Sequence, residues 1–300
     1  MLSRLALLTL NLFILVACTT VEKHQRTVYS TDIQPDIAID IQHDPADQIL
    51  RIATLNVAHG RKDSINQLFV FKSTFKENLD DVAEALSNYR PHVVALQEAD
   101  AESLWSGSFD HVAYLSSAAG YPWRTHMSNA EGWLYSYGTA LLSHLPIIET
   151  IKHTFEPSPP TLDKGFVLAQ VEWPNAGGKK SRKVDIISVH LDFSRQSVRE
   201  QQIKEMVNIL SVRMKPTIIM GDFNSEWLAE SSIIKELAKK TRYKTYQPES
   251  TDLGTYKNKR LDWILITNEL EFVNYQVLPD TLSDHAMIVA DIRFKNNRDE

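Results

Sequence analysis

Short apolar runs of strand length recur from about residue 49 onward, separated by stretches with a different period. The clearest runs span 50–57, 92–96, 139–142, 166–171, 184–189, 217–220, 263–266 and 286–292. Between some of them, apolar residues return every three or four positions, which predicts amphipathic helices. This helical spacing is shown by Leu79, Val82, Ala83, Leu86 and Tyr89, and again by Ile203, Met206, Val207 and Leu210. Many strands with few helices indicate a layered α/β sandwich.

This alternation predicts one domain over residues 49–297. Pro91 and Pro216 are placed to end the two helices just before the next strand. No run of Gly, Ser or Pro divides the region, and no internal repeat is visible. We therefore expect a single layered α/β domain.

The N-terminal segment has the pattern of an export signal. Arg4 precedes an apolar run over 5–17, which is shorter than the roughly 20 residues of a membrane span. The run ends directly before Cys18, and this junction resembles a bacterial lipobox, in which the cysteine is lipidated and becomes the mature N-terminus. Thr19 follows the cysteine instead of Asp, and the resemblance to enterobacterial sorting signals implies the outer membrane over the inner one. The alternatives are a buried N-terminal helix and a plain secretory peptide.

Residues 18–48 are polar and lack a sustained period, and Pro35 and Pro45 would interrupt a helix. We expect a flexible tether between the lipid on Cys18 and the domain. The alternation over 37–41 leaves open an edge strand within this segment.

Composition narrows the classes of partner. The chain has 32 Lys and Arg against 38 Asp and Glu, a formal charge of -6, and removal of residues 1–17 with Arg4 would change it to -7. This balance argues against a broad basic face for nucleic acid, although not against an enzyme that meets phosphates through a metal ion. A single cysteine excludes an internal disulfide and a Cys-rich zinc site.

Acidic, amide and imidazole residues stand beside the apolar runs, where strand ends can bring side chains together at one rim of a sheet. They are Asn56, Glu98, His190, Asp222, Asn224, Asp284 and His285. Carboxylate and amide oxygens suit Mg²⁺ or Mn²⁺, and imidazoles stabilise phosphoryl charge and move protons. The set predicts metal-assisted hydrolysis of a phosphate ester.

These residues belong to motifs that resemble the endonuclease/exonuclease/phosphatase superfamily, with its DNase I-like fold. The matching segments occur in order at 54–56, 96–98, 137–143, 188–192, 221–225, 260–264 and 283–285. The Gly-Asp-Phe-Asn segment from Gly221 and the Ser-Asp-His segment from Ser283 are specific when they occur together. The resemblance implies a four-layered α/β sandwich, in which two packed mixed β-sheets are flanked by helices.

The resemblance also implies a role for each matching residue. Glu98 would be the principal ligand of Mg²⁺, or of Mn²⁺, with Asn56 and Asp284 completing the metal site. Asp222 would orient or deprotonate the attacking water, and Asn224 would hold that water or a phosphate oxygen.

The two histidines would act on the phosphate itself. His285 would contact it while Asp262 orients the imidazole through its other nitrogen. His190 would face the leaving group as a phosphate clamp or proton donor. His59, Arg61 and Lys164 could place further cations beside the phosphate.

Departures from the nuclease pattern bear on the substrate. Ala99 and Asp100 follow Glu98 where nucleases often carry Arg, and position 144 is His where many relatives have Arg. We therefore expect a phosphomonoesterase or phosphodiesterase acting on a lipid headgroup or small phosphoester at the bacterial envelope. An envelope or secreted nuclease and an inactive, membrane-tethered binding module are the alternatives. Trp105, Trp123 and Trp133 are expected to anchor the core or loops, with stacking on the substrate as the alternative. The sequence does not indicate an oligomeric state.

Overall fold

The computed structural model describes residues 27–31, 35, 48–174 and 181–295. The expected leader over 1–17, Cys18, and the alternating segment 37–41 lie outside the described residues. Within them the chain forms thirteen strands and four α-helices. The strands are β1 Thr27–Thr31, β2 Leu50–Asn56, β3 Val93–Asp100, β4 Trp123–Glu131, β5 Ser136–Ser143, β6 Ile147–Thr154, β7 Gly165–Trp173, β8 Arg182–His190, β9 Thr217–Asp222, β10 Tyr243–Thr245, β11 Asp262–Thr267, β12 Leu270–Val277 and β13 Ile288–Phe294. The helices are α1 Lys72–Tyr89, α2 His111–Ala118, α3 Gln196–Ser211 and α4 Ile233–Lys240.

The strands form two mixed sheets. One has seven strands in the order β1-β6-β7-β8-β9-β11-β10, and the other has six in the order β12-β13-β2-β3-β5-β4. Only the pairs β2·β3 and β8·β9 are parallel. In both of these pairs the two strands are joined by a crossover that contains a long helix, α1 or α3, as parallel pairing requires.

Hydrophobic cores lie on both faces of each sheet, which makes the fold four-layered. Ile186 and Ile218 face the core between the sheets, while their neighbours Ile187 and Ile219 face the core beneath α3 and α4. A third core joins the six-stranded sheet to α1 and α2. Because both faces are covered, these strands appear in the sequence as continuous apolar runs. The structure confirms the expected sandwich of two packed mixed sheets.

Helix α1 begins after Phe71 and buries Leu79, Val82 and Leu86 against the six-stranded sheet. It ends at Arg90, which adopts a left-handed conformation with φ 49° directly before Pro91. Among the described helices, none is both long and apolar enough to cross a membrane.

One part of the expected tether belongs to the domain instead. Thr27–Thr31 forms β1, which pairs antiparallel with β6 and becomes the edge of the seven-stranded sheet. The β-branched residues Thr27, Val28 and Thr31 favour an extended strand once β6 offers free backbone groups. The polar composition of the segment hid this strand, because an edge strand exposes much of its surface.

Candidate active site

The polar residues at the strand ends come together at one rim of the sandwich. In the seven-stranded sheet, His190 on β8 pairs with Asp222 on β9, and Asp222 pairs with Asp262 on β11. In the other sheet, Asn56 at the end of β2 lies opposite Gln97 of β3. A hydrogen bond of 3.1 Å from Asn56 Nδ2 to Asp222 Oδ2 joins the two sheets at this rim.

His285 and Asp262 form an acid-imidazole pair. His285 Nδ1 donates to Asp262 Oδ2 at 2.7 Å, and both residues are buried. Burial by itself would lower the pKa of His285, but the charge of Asp262 and the hydrogen bond to it raise the pKa to about 10. The imidazole is therefore a cation at neutral pH, and its Nε2 lies 3.9 Å from Asp222 Oδ2.

Asp222 is the central carboxylate of the rim. Its Oδ1 accepts from the backbone N–H of Asn224 at 2.8 Å, and its Oδ2 lies 3.6 Å from His190 Nε2. Burial, together with the charge of Asp262, raises the pKa of Asp222 to about 7 against the opposing effect of His285. A carboxyl group with such a pKa can accept a proton from water at neutral pH.

Glu98 is aimed into the rim by a β-bulge. The pairing of β3 with β5 shifts register between Gln97 and Ala99, and Glu98 adopts φ 48°. Such a bulge redirects one side chain out of the regular alternation. The Glu98 side chain stays 22% exposed, so its carboxylate remains open to the solvent.

Three basic groups surround that carboxylate. His59 Nε2 lies 3.3 Å from Glu98 Oε2, while Lys164 Nζ and His190 Nε2 lie 4.0 and 3.9 Å from Oε1. Burial alone would raise the pKa of Glu98, but the charges of His59 and Lys164 hold it far below its usual range. Glu98 is therefore ionised over the whole neutral range.

Lys164 and His59 are more deeply embedded than the sequence indicated. Lys164 is 7% exposed, and its Nζ donates to His190 Nδ1 at 3.3 Å. Burial and the Lys164 charge keep the pKa of His190 well below its usual value, so His190 is neutral and carries its proton on Nε2. His59 Nδ1 donates to the buried Asp100 Oδ1 at 2.7 Å.

Asp100 is a residue whose part the sequence analysis missed. It also accepts a hydrogen bond of 2.8 Å from Trp105 Nε1, and it contacts the Ser106 hydroxyl. The available signal was a second acidic residue only two positions after Glu98. Of the three tryptophans, Trp105 anchors a loop and Trp123 is buried, as expected. Trp133 is 83% exposed, so the expectation that it anchors the core or a loop was wrong. Its turn, 132–135, leaves the side chain outside the packed layers.

The remaining predicted residues lie in the same region with other partners. Asp284 Oδ2 accepts a hydrogen bond of 2.5 Å from Arg61 Nη2. Arg61, which we expected beside the phosphate, is therefore paired with the Asp284 carboxylate. Asn224 adopts φ 49°, and its Nδ2 donates to the Leu191 carbonyl at 3.1 Å. The Oδ1 of Asn56 accepts from the backbone N–H of Ala58 at 3.0 Å.

The donor set fits a hard divalent cation. Glu98 supplies an ionised, partly exposed carboxylate, and the Asn56 amide and the partly exposed Asp284 carboxylate add further hard oxygen donors. The ligand atoms of Asp222, Asp262 and His285 also lie within 4.8 Å of one another. A protonated His285 cannot ligate a metal through nitrogen, so this trio is better described as an acid-imidazole pair beside a second acid.

Comparison with known proteins decides the family. The model of the Endonuclease/Exonuclease/phosphatase family matches residues 53–285. The chain belongs to this family. Its members are hydrolases, and the match spans every candidate site residue from Asn56 to His285. No curated protein matches the sequence significantly.

Solved structures of this family share the fold at low identity. An endonuclease/exonuclease/phosphatase from Beutenbergia cavernae is 18% identical with a TM-score of 0.64, over 83% of this chain and 72% of that one. The human Nocturnin catalytic domain with bound sulfate anion is 18% identical with a TM-score of 0.58, over 90% and 97%. A mannosyl-6-phosphatase from Bacteroides thetaiotaomicron is 14% identical with a TM-score of 0.59, over 82% and 100%.

Proposed function

We propose that this protein is a Mg²⁺-dependent phosphoesterase, anchored by a lipid on Cys18 to the bacterial envelope, with Mn²⁺ as an alternative ion. The observation that carries the chemistry is the convergence of the ionised Glu98, the acid Asp222 with its pKa near 7, and the Asp262–His285 pair at one rim. A phosphate ester needs positive charge on its oxygens and a base for water, and this set supplies both.

Each side chain has a task that follows from its surroundings. Glu98, with Asn56 and Asp284, would hold the metal, which when bound neutralises the charge that develops on phosphoryl oxygens. Asp222 takes the proton of the attacking water, and Asn224 holds that water in place. The His285 cation binds a phosphoryl oxygen while Asp262 keeps the imidazole oriented, and the Nε2–H of neutral His190 donates a hydrogen bond to an oxygen on the leaving-group side as a phosphate clamp.

The substrate we favour is a lipid headgroup or another small phosphoester, either a monoester or a diester. The net charge of -6 and the pairing of Arg61 with Asp284 weigh against a long basic groove for nucleic acid. Thr19 after Cys18 supports the outer membrane.

Hydrolysis tests this assignment directly. Wild type and the variants Glu98→Gln and His285→Gln are assayed with bis-p-nitrophenyl phosphate and a phospholipid panel, with and without Mg²⁺. We expect Mg²⁺-dependent activity that either substitution lowers by about 100-fold or more. Glu102→Gln is the matched control, because Glu102 is an exposed acid four residues further along.

Two further measurements separate the alternatives. Calorimetric titration should show Mg²⁺ binding by wild type and its loss in Glu98→Gln; an absence of binding in wild type would favour the inactive binding module. Plasmid nicking at low salt that weakens steeply with added salt would favour a nuclease.

A further inference from the structure

Exposed apolar side chains are concentrated at the catalytic end of the molecule. Among the described residues, twelve large hydrophobic side chains are exposed, and eight of them lie on loops that adjoin the rim ends of the strands. A soluble surface scatters such residues singly, whereas a concentration on one face marks an interaction surface.

Five of these residues flank the site on the side of the six-stranded sheet. The loop between β2 and α1 carries three of them, and the loops after β3 and β4 carry one each. They are Ile65, Leu68, Phe71, Leu104 and Trp133, each at least 60% exposed. The 3₁₀ turns Gln67–Phe69 and Leu104–Ser106 are in contact, and Trp105 N–H donates to the Leu134 carbonyl at 3.1 Å, so the three loops form one surface.

The other three flank the site on the side of the seven-stranded sheet. Phe193 and Leu228 follow β8 and β9 and are 65% and 61% exposed, and Leu162 follows β6. The loop of Leu162 lies beside that of Phe193, because Thr161 Oγ1 donates to Asp192 Oδ2 at 2.6 Å. The candidate catalytic residues therefore lie between two groups of exposed apolar side chains. We call these eight side chains together the apolar rim.

The register of β1 places the N-terminal part of the chain at the same end. Thr27 pairs with His153, next to Thr154, which pairs with Gly165; Gly165 in turn pairs with His190. Along the strand direction, Thr27 is therefore displaced by only one residue from the row that contains His190 and Asp222. Across the sheet, it lies about 15–20 Å from these two residues. The N-terminal end of β1 therefore lies on the catalytic side.

The distance from Thr27 to the proposed anchor is short. Eight residues separate Cys18 from Thr27, so a lipid on Cys18 lies at most about 30 Å from the end of β1. A strand such as β7, with nine residues, is itself about 30 Å long. The catalytic end is therefore the face that this anchor holds nearest to the bilayer.

We propose that the apolar rim docks onto the phospholipid bilayer to which Cys18 is anchored, so that the active site opens toward the lipid headgroups. Aromatic and aliphatic side chains such as Trp133, Phe71 and Phe193 enter the interfacial region, where such groups are stabilised. Two cations beside the apolar rim, Arg61 and Lys62, are paired with the acids Asp284 and Asp81, and the docking is argued from apolar contact. This inference rests on the anchor in the proposed function.

Tryptophan quenching by brominated phosphatidylcholine tests the orientation. The full chain is reconstituted in vesicles, and the difference between wild type and Trp133→Phe isolates the exposed Trp133. The matched control is Met214→Trp in the Trp133→Phe background, because Met214 is 77% exposed after α3, at the opposite end. We expect the lipid to quench Trp133 at least about threefold more than the tryptophan at position 214.

Surface variants supply the second arm. Leu68→Ser with Phe71→Ser should lower the quenching of Trp133 about threefold or more, whereas Val212→Ser should leave it unchanged. Equal quenching at both ends, or quenching that is indifferent to Leu68 and Phe71, would overturn the proposal. So would burial of the apolar rim between two copies of the chain, detected as a dimer that the Leu68 and Phe71 variants dissociate.

The outcomes distinguish this inference from the proposed function. Quenching is read without turnover, and hydrolysis of bis-p-nitrophenyl phosphate is read without a bilayer. If brominated lipid quenches Trp133 in a chain that hydrolyses no phosphoester, only the proposed enzymatic function is contradicted. If the enzyme is active but aqueous iodide still quenches Trp133 when the chain is in vesicles, only the docking proposal is contradicted.

Discussion

At the scale of single residues, the chemistry of the rim depends on how each polar group is paired. Asp262 and His285 share a hydrogen bond of 2.7 Å, and Glu98 is ionised because basic groups surround it. Isolated in the sequence, each residue is an ordinary Asp, His or Glu. The pKa shifts of His285 and Glu98 come from neighbours that are distant along the chain.

Asp262→Asn should lower kcat for bis-p-nitrophenyl phosphate about 10- to 100-fold with little change in KM. The amide keeps the hydrogen bond but removes the charge that holds the His285 imidazole protonated. The double variant with His285→Gln should be no slower than His285→Gln alone, because the two residues act as one unit. Losses that multiply in the double variant would contradict this coupling.

Gly221→Ala should destabilise the protein by at least about 2 kcal/mol and impair activity. Gly221 has φ +144°, and an added Cβ would meet the Val189 carbonyl oxygen at 2.0 Å, directly beside Asp222. Urea unfolding measures the loss. Gly120→Ala is the matched control, since Gly120 has φ +72° with open space around it; it should cost only about 1 kcal/mol. Equal losses at both positions would show that space at Gly221 is unimportant.

At the scale of elements, a buried polar link holds the two sheets together beneath the site. Gln97 Nε2 on β3 donates to Ser188 Oγ on β8 at 2.9 Å, and that hydroxyl donates to the Leu96 carbonyl at 2.8 Å. All of these atoms belong to buried residues between apolar cores. The link fixes β3 against β8, and thereby Glu98 against His190.

Ser188→Ala should destabilise the protein by about 1–3 kcal/mol, because it leaves the buried Gln97 amide without its acceptor. Adding Gln97→Met should recover part of that loss, because the amide that lost its acceptor is then removed; the recovery is partial because the Thr54 hydroxyl loses its 3.3 Å hydrogen bond to Gln97 Oε1. Thermal unfolding of the two single variants and the double variant measures the coupling. Strictly additive losses would show that the two side chains do not depend on each other.

Elements buried on both faces were predictable, whereas elements at the edges were not. The runs at 184–189 and 217–220 correspond to the central β8 and β9, and the spacing of Leu79, Val82 and Leu86 corresponds to α1. The sequence analysis did not find β1, β4, β10 or β12, which lie at sheet edges, nor β6, which lies beside β1 and is only partly buried along its length. Edge strands mix polar with apolar residues because one side meets solvent, so their period is weak.

At the scale of the whole molecule, stability should decline in mild acid, and His126 contributes to this decline. Burial lowers the pKa of His126 to about 4, and its Nε2 donates to the Ala99 carbonyl at 3.1 Å. In the unfolded chain the pKa of this histidine is about 6.5, so between that pH and about 4 the unfolded chain binds a proton at His126 and the folded chain does not. The free energy of unfolding therefore falls as the pH drops from about 6.5 to about 4.

His126→Gln should reduce that fall by up to about 3 kcal/mol, because glutamine keeps a neutral donor and does not titrate. Urea unfolding at pH 7 and at pH 4 measures the difference for both chains. An unchanged dependence on pH would show that His126 is protonated in the folded state.

The sequence by itself determined the layered α/β class, the family, and which residue types stand at the strand ends. These properties depend on local apolar periods and short motifs, which need no tertiary context. Only the tertiary structure decided that Lys164 and His59 flank Glu98, that Asp100 holds His59, and that Thr27 lies on the catalytic side. The reason is physical: strand register and a β-bulge bring together groups that are remote along the chain, and burial there sets their charge.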